Sequence, residues 1–237
     1  MAFGDVVSSD VVGYMGNNLS AGNKAAGTSF VPVSGTTIDL TDLVVTGYDK
    51  EEGSEEDVKV QTLDRYGRGG VTYAWMDITD GDDVYYGWFD DGEPVEAGTL
   101  TLAAGDGLWV NSPNADFALQ SSGKVPTSAV AVSLRAGNKL VENATPVSVD
   151  LTKIVVSGYD EEEGSEEDVK VQTLDRYGRG GVTYAWMDLV DGDDVYYGWY
   201  DDGEEVLEGT LVLQPGEGLW ANAPSADYQI EFPGVTL

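Results

Sequence analysis

Carboxylates crowd the turns of this chain, and crowded carboxylates can bind metal or move protons. YDKEEGSEED brings together Asp49, Glu51, Glu52, Glu55, Glu56 and Asp57. DITDGDD adds Asp77, Asp80, Asp82 and Asp83, and FDDGE adds Asp90, Asp91 and Glu93. The same runs return later, with Asp191, Asp193, Asp194, Asp201 and Asp202 at the matching turns. Hard oxygen donors on turns suit calcium. The candidate ligands are Asp80, Asp82, Asp83, Asp90 and Asp91 with their five later counterparts, although none follows the EF-hand spacing. A carboxylate pair could also cleave a glycosidic bond, but that needs a cleft and one raised pKa. Acids strung along exposed turns more often keep strand edges soluble.

Two other side-chain sets invite a role. Tyr73, Trp75, Tyr85, Tyr86, Trp88 and Phe89 are mirrored by Tyr184, Trp186, Tyr196, Tyr197, Trp199 and Tyr200. Tyr85 and Tyr86 are adjacent on a strand, so they cannot both face a core. Outward aromatics serve protein contacts or sugar stacking, and Trp88 and Trp199 are the candidates. The second set is DRYGRGG, Asp64 to Gly70, which returns at Asp175 to Gly181. It holds Arg65, Arg68, Arg176 and Arg179, four of the chain's five arginines, around Tyr66 and Tyr177. An arginine hairpin tip on an acidic protein could dock on a neighbouring molecule's acidic loop. The competing reading pairs each arginine with a nearby acid of its own turn.

Absent residue types close off other chemistry. The chain has no Cys and no His, which removes disulfides, thiolate sites, His-based triads and His-ligated zinc. The formal charge is −31, from 43 acids and 12 bases. Such a field repels nucleic acid and anionic lipid. No apolar run approaches the ~20 residues of a membrane span. The opening MAFGDVVSSDVVGYM lacks a basic segment followed by an apolar one, so no signal peptide is expected. Synthesis in the cytoplasm is expected, with function in an assembled particle or on a cell surface.

The elements that must carry these residues are strands. Val58–Leu63 and Val71–Met76 alternate with period two, and Gly-rich or Asp-Gly turns separate successive runs. A short 3₁₀ turn is expected near Leu40–Leu43, capped by Asp39 and Thr41. The runs also come twice. GYDKEEGSEEDVKVQTLDRYGRGGVTYAWMD, Gly47 to Asp77, returns from Gly158 with only Lys50 changed, to Glu161. Ala21-Gly-Asn-Lys likewise matches Ala136-Gly-Asn-Lys. This is a tandem duplication. The expected fold is all-β: two homologous antiparallel sandwich or barrel domains, 1–122 and 123–237, joined through the small polar stretch Ser121–Ser128. The unchanged middle points to a shared contact or to gene conversion.

The layout SSDVVGY, then the Ala21-Gly22-Asn23 turn, then Gly105-Asp-Gly-Leu-Trp-Val-Asn-Ser-Pro, resembles tandem β-module proteins on the surfaces or in the virions of bacteria and their phages. The resemblance implies repeated β-domains used in a particle, and it supplies no functional residue. The expected function is non-enzymatic: a structural protein that assembles with copies of itself or decorates a particle such as a phage virion, or a surface-layer or filament subunit. The alternative is a calcium-dependent carbohydrate-binding pair of modules.

Overall fold

Alternation between buried and exposed side chains sets the strands. Val58 and Val60 are buried while Lys59 between them is exposed, and the pattern recurs at Val169–Val171. In the computed structural model the described residues are 11–47, 58–80, 83–113, 116–158, 169–175, 177–191 and 194–237. The first half holds β1 (Val12–Asn18), β2 (Gly22–Ala26), β3 (Thr37–Asp39), β4 (Val44–Thr46), β5 (Val58–Leu63), β6 (Gly69–Asp80), β7 (Asp83–Asp90), β8 (Glu93–Pro94), β9 (Thr101–Ala103), β10 (Leu108–Ser112) and β11 (Ala118–Lys124). The second half holds β12 (Val130–Ser133), β13 (Gly137–Glu142), β14 (Val149–Asp150), β15 (Val155–Ser157), β16 (Val169–Leu174), β17 (Gly180–Asp191), β18 (Asp194–Asp201), β19 (Glu204–Glu205), β20 (Val212–Leu213), β21 (Gly218–Ala223) and β22 (Gln229–Phe232).

The fold is all-β, as the sequence predicts. Strand order in the first half is β1-β11-β4, β2-β10-β5-β6-β7-β8 and β3-β9. The second half repeats it as β12-β22-β15, β13-β21-β16-β17-β18-β19 and β14-β20. The long hairpins β5-β6-β7 and β16-β17-β18 are antiparallel with matching registers, including a bulge at Gln61/Leu63 and at Gln172/Leu174. Each half has its own buried cluster. In the first, Val45 and Leu119 of the three-stranded sheet meet Val60, Tyr73, Trp88 and Val110 of the six-stranded one. In the second, Val156 and Ile230 meet Val171, Tyr184, Trp199 and Ala221. Two sheets facing across one apolar layer make a sandwich.

Local chemistry fixes the turns. The Asp39 side chain accepts from the Thr41 backbone N–H at 2.9 Å and starts a 3₁₀ turn at Leu40–Asp42. Asp150 does the same at Leu151–Lys153. Asp91 and Gly92 adopt φ of 48° and 87°, the two positive values that a two-residue type I′ hairpin requires. Asp202 and Gly203 repeat them.

The seam differs from the expectation. Ser121–Lys124 is not linker but the end of β11, paired with Val12–Met15 of β1. Small residues stand there because of crowding: a Cβ on Gly123 would lie 2.5 Å from the Val31 carbonyl oxygen and 2.6 Å from the Phe30 side chain. The first half therefore extends past residue 122, and the connection between β11 and β12 is only the run 125–129.

Candidate interaction site

The Arg hairpins dock inside the molecule, each on the other half. Asp64 shapes the first tip by accepting from the backbone N–H groups of Tyr66 and Arg68, both at 2.8 Å. These bonds, that from Arg68 foremost, hold its carboxyl below the usual range. The Arg65 carbonyl oxygen then accepts from the Asn138 backbone N–H at 2.8 Å. Arg135 reaches across to the Leu63 carbonyl at 2.5 Å. A Cβ on Gly67 would strike the Trp220 ring at 2.2 Å, so only glycine lets the tip lie on that indole. The second tip mirrors this: a Cβ on Gly178 would strike Trp109 at 2.2 Å.

Asparagines anchor both docks. Asn138 Oδ1 accepts from Trp220 Nε1 at 2.8 Å and Asn222 Nδ2 at 2.9 Å. Asn23 Oδ1 accepts from Trp109 Nε1 at 3.2 Å and Asn111 Nδ2 at 2.9 Å. Trp109 and Trp220 meet edge to face between the halves, centroids 6.4 Å apart. One salt contact crosses as well: Lys139 Nζ lies 2.6 Å from Asp106 Oδ1. At its equivalent place the Lys24 ammonium donates to Asn17 Oδ1 and the Asn18 carbonyl. Burial holds the Lys24 ammonium below the usual lysine value, and Glu217 pulls it partly back. The glycine-on-indole contacts and the bridges of Ala26 to Glu217 and Val141 to Asp106 occur twice with partners exchanged, so the halves approach a two-fold relation, as in an isologous interface.

Among the described residues the hairpin arginines Arg65, Arg68 and Arg179 place their heads on their own turns. Arg68 Nε lies 3.3 Å from Asp64 and Arg179 Nη2 2.9 Å from Asp175, both heads well exposed. Arg65 and Arg68 lie over the Tyr66 ring, and Arg179 over that of Tyr177. The reading of an arginine paired within its own turn holds for Arg68 and Arg179. Arg176 lies outside the described residues.

Trp88 and Trp199 are not surface platforms. They are 4% and 3% exposed, and their Nε1 groups donate to the Leu43 and Ile154 carbonyls. Each packs edge to face on a core partner, Trp75 or Trp186, at 5.4 Å. Their strands turn them inward, and Tyr85 and Tyr196 outward. Of the calcium candidates, Asp90, Asp91, Asp201 and Asp202 sit on exposed hairpin turns, and among the described residues no three acidic side chains converge. Asp82 and Asp193 lie outside the described residues, and Asp80, Asp83, Asp191 and Asp194 are described by their backbone alone.

Sequence reasoning missed the centre of the interface. Glu142 is wholly buried, and its Oε1 accepts from the Thr28 backbone N–H at 2.6 Å and from Thr28 Oγ1 at 3.1 Å. Among the described residues Oε2 has no hydrogen-bond partner. Burial drives the carboxyl well above the ordinary value; the Thr28 bonds oppose this and the nearby Asp106 charge adds to it. The one available signal was the alignment of Ala21-Gly-Asn-Lys with Ala136-Gly-Asn-Lys, which continues to set Gly27 against Glu142. No protein-family model, no curated protein and no solved structure matches this chain.

Proposed function

We propose that this protein is a non-enzymatic structural unit, an internal pair of β-modules that assembles with copies of itself or onto a larger particle, such as a phage virion. The observation that carries this is duplicated apolar exposure. Val44 and Val155 (41% and 46%), Tyr66 and Tyr177 (58% and 56%), Val71 and Val182 (50% and 46%), and Tyr85 and Tyr196 (56% and 55%) stand out at matching positions. Isolated exposed valines and tyrosines need no explanation, but the same set kept outward twice suits a partner met twice. The non-enzymatic reading is supported by the site chemistry: the most strongly perturbed carboxyl, Glu142, is sealed from substrate. Among the described residues no helix is long and apolar enough to cross a membrane.

The test is solution mass by light scattering over a concentration series, then electron microscopy of the same sample. Regular assemblies that Tyr85→Ala with Tyr196→Ala dissolve are the expected result. A 25.2 kDa particle at every concentration, indifferent to both substitutions, would remove self-assembly.

One observation favours the second reading, a glycan-binding module. A groove of about 650 Å³ in the first half is lined by Val44, Tyr85, Tyr86, the buried Trp88, Pro94 and Val95, within the ~300–1,000 Å³ of small-ligand sites. Tyr85 takes the stacking role that buried Trp88 cannot. Glycan binding lost in Tyr85→Ala and kept in Trp199→Phe would carry this reading; no binding with or without calcium would end it.

A further inference from the structure

The two halves are alike except where they meet on the axis. Following the matched turns, Gly27 and Glu142 are equivalent positions, as are Ala26 and Val141. Their contacts confirm the equivalence. Gly27 N–H donates to the Gly216 carbonyl, and Glu142 N–H to the Gly105 carbonyl. Ala26 bridges to Glu217 and Val141 to Asp106. Where the first half has no side chain, the second has a carboxyl that fills the space: a Cβ on Gly27 would lie 2.0 Å from Glu142 Oε2.

The charges around this carboxyl are few and already engaged. On its own strand, β13, Lys139 is turned to Asp106. From the turn before β10, Asp106 adds negative potential. From β2, the Lys24 ammonium donates to Asn17 Oδ1 and the Asn18 carbonyl and is attracted by Glu217. From the first half the group that touches the carboxyl is Thr28, which is neutral. A buried carboxylate with one oxygen unpaired and no cation opposite is strongly disfavoured, whereas a neutral carboxyl there is tolerated.

We propose that Glu142 is a proton-dependent key: its neutral carboxyl fills the gap left at Gly27 and locks half to half, and its ionisation frees the two faces for the complementary faces of a second copy of this chain. The partner follows from the geometry. Two second halves would bring two Glu142 side chains to one axis, and two first halves would leave it empty. Each freed face therefore accepts only the opposite half, which another copy of the chain supplies. Because the run 125–129 keeps a chain's own halves at about millimolar effective concentration, exchange between chains needs comparable protein concentrations.

The sign follows from linkage. The locked form holds the proton more tightly than the open form, whose carboxyl is ordinary. The lock is at full strength below the ordinary carboxylate pKa. It weakens as pH rises from there through the higher pKa of the locked form.

The experiment uses the full chain. Protein labelled with a donor dye is mixed with acceptor-labelled protein at about millimolar concentration, held at mildly alkaline pH, returned to mildly acid pH, and read by energy transfer and light scattering. Trapped dimers are expected after the alkaline step and not after an acid hold. Glu142→Gln, neutral at every pH, should abolish the difference. Gly27→Ala should exchange at both pH values, and adding Glu142→Gly to it should return the chain to monomer. Exchange that ignores pH, or Glu142→Gln that behaves as wild type, would overturn the key. The inference rests on the assembly reading only for its partner. Assemblies sensitive to Tyr85→Ala with Tyr196→Ala but indifferent to pH and to Glu142→Gln would sink the key and keep that reading. Gated exchange without larger assemblies would do the reverse.

Discussion

At the residue scale, chemistry that looks exposed in the sequence is often spent on packing. Trp88 and Trp199 invite a surface role because they stand in aromatic runs. Yet their indole N–H groups are used up on buried carbonyls and their rings on a core partner. Trp88→Ala should cost about 3–5 kcal/mol of stability, as for a large aromatic truncated in a core. Denaturant unfolding measures it, and a loss below about 1 kcal/mol would place the ring at the surface after all. Asn138 is the opposite case, an inconspicuous residue of β13 that proves central. Asn138→Ala leaves the Trp220 N–H without its acceptor and should cost about 1–3 kcal/mol. Asn23→Ala should act alike in the other half, and a neutral result for both would remove the asparagines from the dock.

At the element scale the sequence was most readable where one element carries its own signal. Period-two alternation marked β5 and β6, Asp-Gly marked the β7–β8 turn, and Asp39 with Thr41 marked the 3₁₀ turn. It was least readable where two distant elements share one contact. DRYGRGG reads as a hairpin tip for a neighbouring molecule, and nothing in it announces that Gly67 lies on the indole of Trp220, far along the chain. Glu142 was hidden in the same way, as one acid among 43 in a run with no motif. The seam failed for a related cause: Gly123 and its serines carry the composition of a linker but serve close approach to Phe30 and Val31. The hairpin heads allow a sharp prediction. Arg68→Glu with Arg179→Glu breaks two solvent-screened ion pairs and leaves the docking backbone intact. Melting temperature should move by only a few degrees and near-ultraviolet dichroism should not change. Loss of the folded state would make the arginine heads, and not the backbone, the docking element.

At the scale of the whole molecule, duplication yields something close to a dimer in one chain. This gives the hairpin within the unchanged segment a physical constraint. DRYGRG must fit Asn138 and Trp220 in one half and Asn23 and Trp109 in the other, so a change on either side disturbs a shared geometry. Two separate cores would by themselves allow two unfolding events. The interface adds indole burial, asparagine hydrogen bonds, the Lys139–Asp106 contact and one sealed carboxyl, and these couple the events. Calorimetry of the intact chain should therefore show one cooperative transition at pH values below the range in which Glu142 ionises. Gly67→Ala with Gly178→Ala forces a Cβ into each indole, at positions whose φ of 76° and 73° already disfavours any side chain. Both hairpins should lift, the cores should remain, and the single transition should split into two at lower temperature. Raising the pH of the wild type should move it part of the way to the same behaviour, because ionising Glu142 loosens the contact from its centre while the glycine substitutions loosen it from its two ends. Two transitions already present in the wild type, or one unmoved in the double variant, would mean that the halves fold without reference to each other and that the conserved hairpin geometry serves some other contact.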